Sequence, residues 1–285
     1  MDLELGRALE DGWPPPAAWY SEPAVLQAER DRIFTSTWQY AGPLHQVAGP
    51  GAFFASVAGH VPVVVTRARD GELRAFVNVC RHRGHVVAQG AGCRETLQCP
   101  YHAWTYGLDG ALRRAPRSER EPSFDASVLS LLPVAVEAWG PFVFVNPDAG
   151  AAPLAETLGE LPRVLADGGV DLDRLRFHSH AEWTQEVNWK VAVENHLECQ
   201  SQYHFVWPNT TINVAPGPLN LSIERWVPVG PRTTVEMTDY FFGPDVTEER
   251  IHEVIEWGTQ VAQEDLVLVE GVAAFQRRVF DALST

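Results

Sequence analysis

Cys80-Arg81-His82-Arg83-Gly84-His85 and, further on, Cys99-Pro100-Tyr101-His102 form a Cys-x-His and a Cys-x-x-His unit, with 16 residues between His82 and Cys99. Each unit is short enough to lie on one tight loop, and thiolate with imidazole suits zinc or an iron–sulfur cluster. Structural zinc loops usually pair Cys with Cys or His with His. A two-iron, two-sulfur centre whose first iron keeps both thiolates and whose second takes both imidazoles needs one Cys and one His from each loop. The spacing therefore points to such a cluster held by Cys80, His82, Cys99 and His102, with a zinc site as the alternative. His85 and Cys93 fall outside the pattern and read as ordinary side chains.

Working outward, the loops sit among short β-like runs, Phe53 to Val57, Val61 to Thr66, Leu73 to Val79 and Pro141 to Val145, with Asp70-Gly71 and Asp109-Gly110 as turns. A helical pattern over Ala24 to Phe34 precedes them. An Ala-, Gly- and Pro-rich stretch between Pro147 and Gly169 marks a boundary. Beyond it the patterns predict a strand over Leu175 to Val187 and a helix over Asn188 to Cys199. Strands over Thr210 to Val214, Leu219 to Val227 and Thr233 to Phe242 follow, then a long helix over Thr247 to Leu283. The expected fold class is α+β: an arm over 1–38, an all-β domain over 39–148 and an antiparallel-sheet domain with flanking helices over 149–285.

The sequence resembles the large (α) subunit of the Rieske non-haem iron oxygenases, the aromatic-ring-hydroxylating family, and in particular its quaternary-ammonium branch. The resemblance is carried by Tyr20, Glu29, Ile33-Phe34 and Trp38-Gln39-Tyr40, and by Ala75 through Gly84. Cys99 through Tyr106, Asn188-Trp189-Lys190 and Glu194 through Cys199 complete it. Ala103 stands where Gly is usual. Respiratory Rieske proteins add a Cys to each loop, where this chain has His85 and Tyr101. Exposed imidazole ligands with few added hydrogen bonds predict a potential toward the low end of the Rieske range.

The resemblance implies a helix-grip-like catalytic domain and a mononuclear Fe(II) held by two His and one carboxylate, where dioxygen is activated. On a regular C-terminal helix, Ile251, Ile255, Gly258, Ala262, Val269, Val272, Gln276 and Phe280 form an apolar face with Asp265 in its midst. A carboxylate there is costly unless paired or metal-bound. Asp265 also matches the place of the family's iron-binding Asp. The family's two His are missing from their register after Glu198-Cys199, where Gln200, Ser201 and Val206 stand. A segment after Cys199 is either lost or omitted. His204 is the nearest substitute, with a plain strand position as its other reading, and His196 reads as a packed histidine. Glu198 corresponds to the acid that bridges cluster and iron between subunits. Trp207, Trp226, Tyr240 and Phe241 suit a cation-binding aromatic pocket or ordinary core.

The composition is compatible with this reading. The chain has 285 residues, short for the family, a formal net charge of −15 and no basic run, which excludes nucleic acid and anionic membranes as main partners. Four Cys and the absence of a leader-like segment predict a reducing, cytoplasmic location. The expected partners are a flavin and iron–sulfur reductase or a ferredoxin, dioxygen, a small organic substrate and further copies in a homotrimer. The rival reading is a Rieske electron-transfer or regulatory protein without the mononuclear iron.

Overall fold

A computed structural model describes residues 15–198 and 203–283, apart from the side chains of Glu198, Tyr203 and residues 275–283. The fold is α+β and joins a β-rich cluster-loop region to an antiparallel sheet gripped by helices. After a short turn, helix α1 (Pro23–Glu29) starts with Pro at its first position, where the missing N–H costs nothing. It continues as a π-turn through Phe34.

The strands β1 (Gln39–Pro43), β2 (Ala52–Ala58), β3 (Val61–Arg67), β4 (Leu73–Val77), β5 (Ala91–Cys93), β6 (Thr96–Gln98), β7 (Thr105–Gly107), β8 (Leu112–Arg114), β9 (Pro133–Trp139) and β10 (Phe142–Asn146) build the first region. They form a seven-stranded sheet in the order β1-β10-β9-β4-β3-β2-β5 and a three-stranded sheet β6-β7-β8. Phe53, Val64, Phe76, Leu97 and Tyr106 pack between these layers with Cys80 and Cys99.

Short helices α2 (Leu154–Leu158) and α3 (Leu161–Asp167) lead to a five-stranded antiparallel sheet, β11 (Arg176–Gln185), β12 (Tyr203–Val206), β13 (Thr210–Asn213), β14 (Asn220–Gly230) and β15 (Thr233–Phe242), in the order β11-β15-β14-β13-β12. One face meets β1 and β10 in a shared core of Tyr40, Phe142, Phe144, Ile212, Ile223 and Phe241. The other face is crossed by α4 (Trp189–Glu198) and the long α5 (Glu248–Leu283), with Trp189, Val193, Trp226 and Val269 between them. The N-terminal segment joins this packing: Phe34 meets Trp189 edge-on at 5.2 Å, and buried Glu29 accepts from Trp189 Nε1 (2.9 Å) and Lys190 Nζ (2.6 Å).

Candidate cluster loops and catalytic cavity

The two cluster loops repeat one hydrogen-bond pattern. The Cys80 N–H donates to the His85 carbonyl (2.8 Å) and the Gly84 N–H to the Cys80 carbonyl (3.0 Å). Likewise the Cys99 N–H donates to the Trp104 carbonyl (2.8 Å) and the Ala103 N–H to the Cys99 carbonyl (3.0 Å). Both turns need a left-handed residue at the fourth step after Cys, and Gly84 (φ 73°) and Ala103 (φ 58°) supply it.

This pairing brings the four side chains together in two kinds. Cys80 and Cys99 are buried in the same core cluster. Burial pushes the Cys99 thiol up. His82 and His102 are exposed, with ring centroids 4.8 Å apart. Trp104 stacks on His82 at 4.9 Å and 4°, and Tyr101 on His102 at 3.8 Å. Buried Tyr106 accepts the Arg81 N–H (3.0 Å) while its hydroxyl lies 3.4 Å from Cys80 Sγ. A thiolate cannot donate, so with a ligating Cys80 the Tyr106 O–H donates to sulfur. Among the described residues, no three His, Cys, Asp or Glu side chains converge to hold one metal ion. A buried thiol pair beside an exposed imidazole pair fits a two-iron cluster and does not fit one tetrahedral zinc. His85 and Cys93 are exposed at the loop margins.

A cavity of about 370 Å³ lies between the five-stranded sheet, α4 and α5. Strand alternation chooses its floor. Trp183, Glu236 and Trp226 are cross-strand partners in one row, and Glu224 with Thr238 forms the next. Asp265 from α5 and His196 from α4 face the same space. Glu236 accepts from Trp183 Nε1 (2.9 Å) and from Gln185 Nε2. His196 Nε2 lies 3.2 Å from Thr211 Oγ1, 3.4 Å from Asn213 Oδ1 and 3.5 Å from Glu224 Oε2. Burial pushes the Glu224 carboxyl up to about 7 and the Glu236 carboxyl up to about 8, each carboxyl raised further by a neighbouring acid. Burial lowers the His196 imidazole.

The sequence-predicted residues divide accordingly. Cys80, His82, Cys99 and His102 come together, and Asp265 reaches the cavity. His204 does not join it. Paired with Ile212 on β13, it points to the opposite face of the sheet, where Ile212 sits in the core shared with β1 and β10. Glu198 ends α4 with its side chain outside the described residues, and Cys199, Gln200 and Ser201 lie outside them altogether. His196, which reads in the sequence as a packed histidine, lines the cavity. Trp226 and Tyr240 line it too, whereas Phe241 is core and Trp207 is half exposed. Glu224 and Glu236 give no motif signal; acids at two inward positions of adjacent strands were the only available cue.

Comparison with known proteins supplies the context. A profile of the Rieske [2Fe-2S] domain matches residues 37–131, and one of the ring-hydroxylating α-subunit catalytic domain matches residues 200–278. Choline monooxygenase, chloroplastic, of Spinacia oleracea is 31% identical over 317 residues, covering 92% of this chain and 72% of its own length. Those 317 positions take in about 262 of the 285 residues here, which leaves about 55 where the spinach protein has residues and this chain has none. The carnitine monooxygenase oxygenase subunit of Acinetobacter pittii is 30% identical over 313 residues, covering 91% of this chain and 84% of its own. A crystal structure of the apo form of a quaternary ammonium Rieske monooxygenase superposes with a TM-score of 0.84 at 31% identity, covering 93% of this chain and 85% of that one.

Proposed function

The chain belongs to the Rieske non-haem iron oxygenase α-subunit family, and we propose that within it the substrate is a small quaternary ammonium compound. The oxygenase role follows from membership: family subunits accept electrons from a reductase and use dioxygen on a small substrate. The two domains imply a two-iron cluster and a mononuclear iron. Cys80, His82, Cys99 and His102 suit the first, which when bound relays electrons one at a time. For the second, the described residues place Asp265 in the cavity and assemble no complete ligand set around it.

The chain's own residues do the following. The buried thiol pair anchors the loops to the core, and the stacked imidazoles present their edge to solvent, where a partner can approach. Tyr106 places a proton against Cys80 sulfur. In the proposed catalytic domain over 149–285, Trp183, Trp226 and Tyr240 wall the cavity and Asp265 serves as the iron's carboxylate. Glu198 bridges to a neighbouring subunit's cluster in a homotrimer. The missing His pair belongs to a segment absent between Cys199 and β12, a reading supported by the unmatched positions in the spinach alignment. The electron donor is a flavin and iron–sulfur reductase or a ferredoxin, and the location is cytoplasmic; no described helix is long and apolar enough to cross a membrane.

The observation that carries the substrate class is the aromatic cavity in a chain 30% and 31% identical to a carnitine and a choline monooxygenase. Oxygen uptake by the reduced protein, with a reductase supplied, tests it. Stimulation by quaternary ammonium compounds and not by neutral aromatics is expected, and the reverse would defeat the reading.

A further inference from the structure

We infer that Trp104 is a positioning residue of the cluster site: it spans the two loops and fixes the ring plane of His82, so that the two imidazole ligands are held unequally. This rests on the ligand assignment proposed above and adds to it a residue that ligates nothing. The Trp104 backbone belongs to the second loop, whose turn it closes by accepting the Cys99 N–H at its carbonyl (2.8 Å). Its indole reaches across to the first loop and lies on His82, with ring centroids 4.9 Å apart and planes within 4°. One residue thus sets both the turn that presents Cys99 and the ring that the other loop presents.

The indole is itself fixed. Trp104 is buried in the core cluster that holds Cys80 and Cys99, and Phe124 meets it edge-on at 5.9 Å and 84°. The torsion that turns an imidazole about its Cβ–Cγ bond is intrinsically soft, and the turns of the backbone do not restrain it. A ligating nitrogen's lone pair lies in the ring plane, so a turned ring no longer aims it at the metal. A flat, immobile face parallel to His82 blocks that rotation, which is how groups behind a ligand orient it. His102 is covered differently. Its stacking partner is Tyr101, its own neighbour in the chain, at 3.8 Å and 29°, and Tyr101 is 56% exposed. Adjacent residues stacked on one loop set nothing between the loops. His82 is therefore the rigid ligand and His102 the adaptable one.

The test is pulsed electron paramagnetic resonance on the cluster-loaded, dithionite-reduced protein, in which each ligating imidazole nitrogen couples to the unpaired electron. The wild type is expected to show two nitrogen couplings. Trp104→Leu should shift one of them and broaden the g-values at unchanged iron and sulfide per chain. Trp104→Phe, which keeps a flat face, should restore the wild-type spectrum. Tyr101→Leu should leave unmoved the coupling that Trp104→Leu shifts. A cluster-loaded Trp104→Leu protein with unchanged couplings, or a Trp104→Phe protein as disturbed as Trp104→Leu, would overturn the inference while leaving the four ligands in place. Where Trp104→Leu holds no cluster, Phe124→Leu decides, because it loosens the indole without removing it: a broadened coupling is expected, and wild-type lines would overturn the inference equally. Absence of any nitrogen coupling from the reduced wild type would overturn the ligand assignment itself.

Discussion

Ala103 holds φ at 58°, a conformation that costs an L-residue about 1–2 kcal/mol and that glycine adopts freely. The equivalent Gly84 shows why glycine is usual: a Cβ there would meet nothing within 4 Å, so the backbone angle and not space sets the preference. Ala103→Gly should therefore stabilise the cluster-loaded protein by about 0.5–1 kcal/mol once glycine's extra unfolded-state entropy is subtracted. Its melting temperature should rise by roughly 1–4 °C, and a fall would show that the turn is not strained. At Tyr106 the expected effect is electronic. Hydrogen bonds to cluster sulfurs stabilise the added electron, so Tyr106→Phe, which removes the donor facing Cys80 Sγ, should lower the midpoint potential. A difference of about 1 kcal/mol between redox states corresponds to roughly 40 mV for one electron. A potentiometric titration showing no shift would remove Tyr106 from the cluster's electrostatics. The ligand types and the departure at Ala103 were legible in the sequence because adjacent residues carry them; the hydroxyl of Tyr106 was not, because its contact crosses from one loop to the other.

At the scale of elements, the inward face of α5 was legible in its first half and drifted in its second. Ile251, Val254, Gly258, Ala262, Asp265 and Val269 run along the inward side in steps of three and four, and the next member is Ala273. Val272 is half exposed at 49%, because strict 3.6-residue geometry rotates it past the edge of the sheet. Asp265 stays on the stripe in either register, which is why a single acid could be singled out. His204 shows the opposite case. In a strand, one residue's shift exchanges the two faces, and no pattern around Tyr203-His204-Phe205-Val206 distinguishes them; pairing with Ile212 turned it away from the cavity. Asp265→Ala should thus lower iron per chain by about one while leaving the cluster spectrum intact, since the cluster loops lie in another sheet. It should not destabilise the metal-free protein, because an acid is being removed from an apolar stripe. Unchanged iron content would end its candidacy as a ligand.

At the scale of the whole molecule, the two regions are locked by charges from strands that show no motif. Arg225 on β14 is 4% exposed and donates to the carbonyls of Tyr40 and Val57 (2.9 Å), reaching from the catalytic sheet into β1 and β2. Asp239, its diagonal neighbour on β15, accepts from Tyr40 Oη at 2.5 Å and pairs with His180 Nδ1 at 2.7 Å. None of this was legible in sequence, because the partners are 185 and 199 residues apart. The hydrogen bond to Asp239 raises the His180 imidazole above its ordinary 6.5. The stability it contributes is fully present below the unfolded value and is lost as pH rises through the higher folded one. Melting temperatures of wild type and His180→Gln should therefore differ most at about pH 5.5 and converge by about pH 8.5, modestly, since His180 is 47% exposed. Arg225 supports the larger expectation. Arg225 and Asp239 are buried charges that attract through space without a direct ion pair, so removing either should cost less than the roughly 3–5 kcal/mol of breaking a contacting buried pair. Arg225→Met leaves Asp239 with only Tyr40 and His180, and Asp239→Asn leaves Arg225 with only the Tyr40 and Val57 carbonyls. The double variant leaves neither charge behind, so its loss should be smaller than the sum of the two single losses by about 1–3 kcal/mol. Thermal unfolding of the four proteins, followed by cluster absorbance and by circular dichroism, measures this. Strict additivity would mean that Arg225 and Asp239 each serve their own carbonyl and hydroxyl partners, and that the regions are joined by the apolar seam of Tyr40, Phe142 and Phe241 instead of by a shared pair of charges.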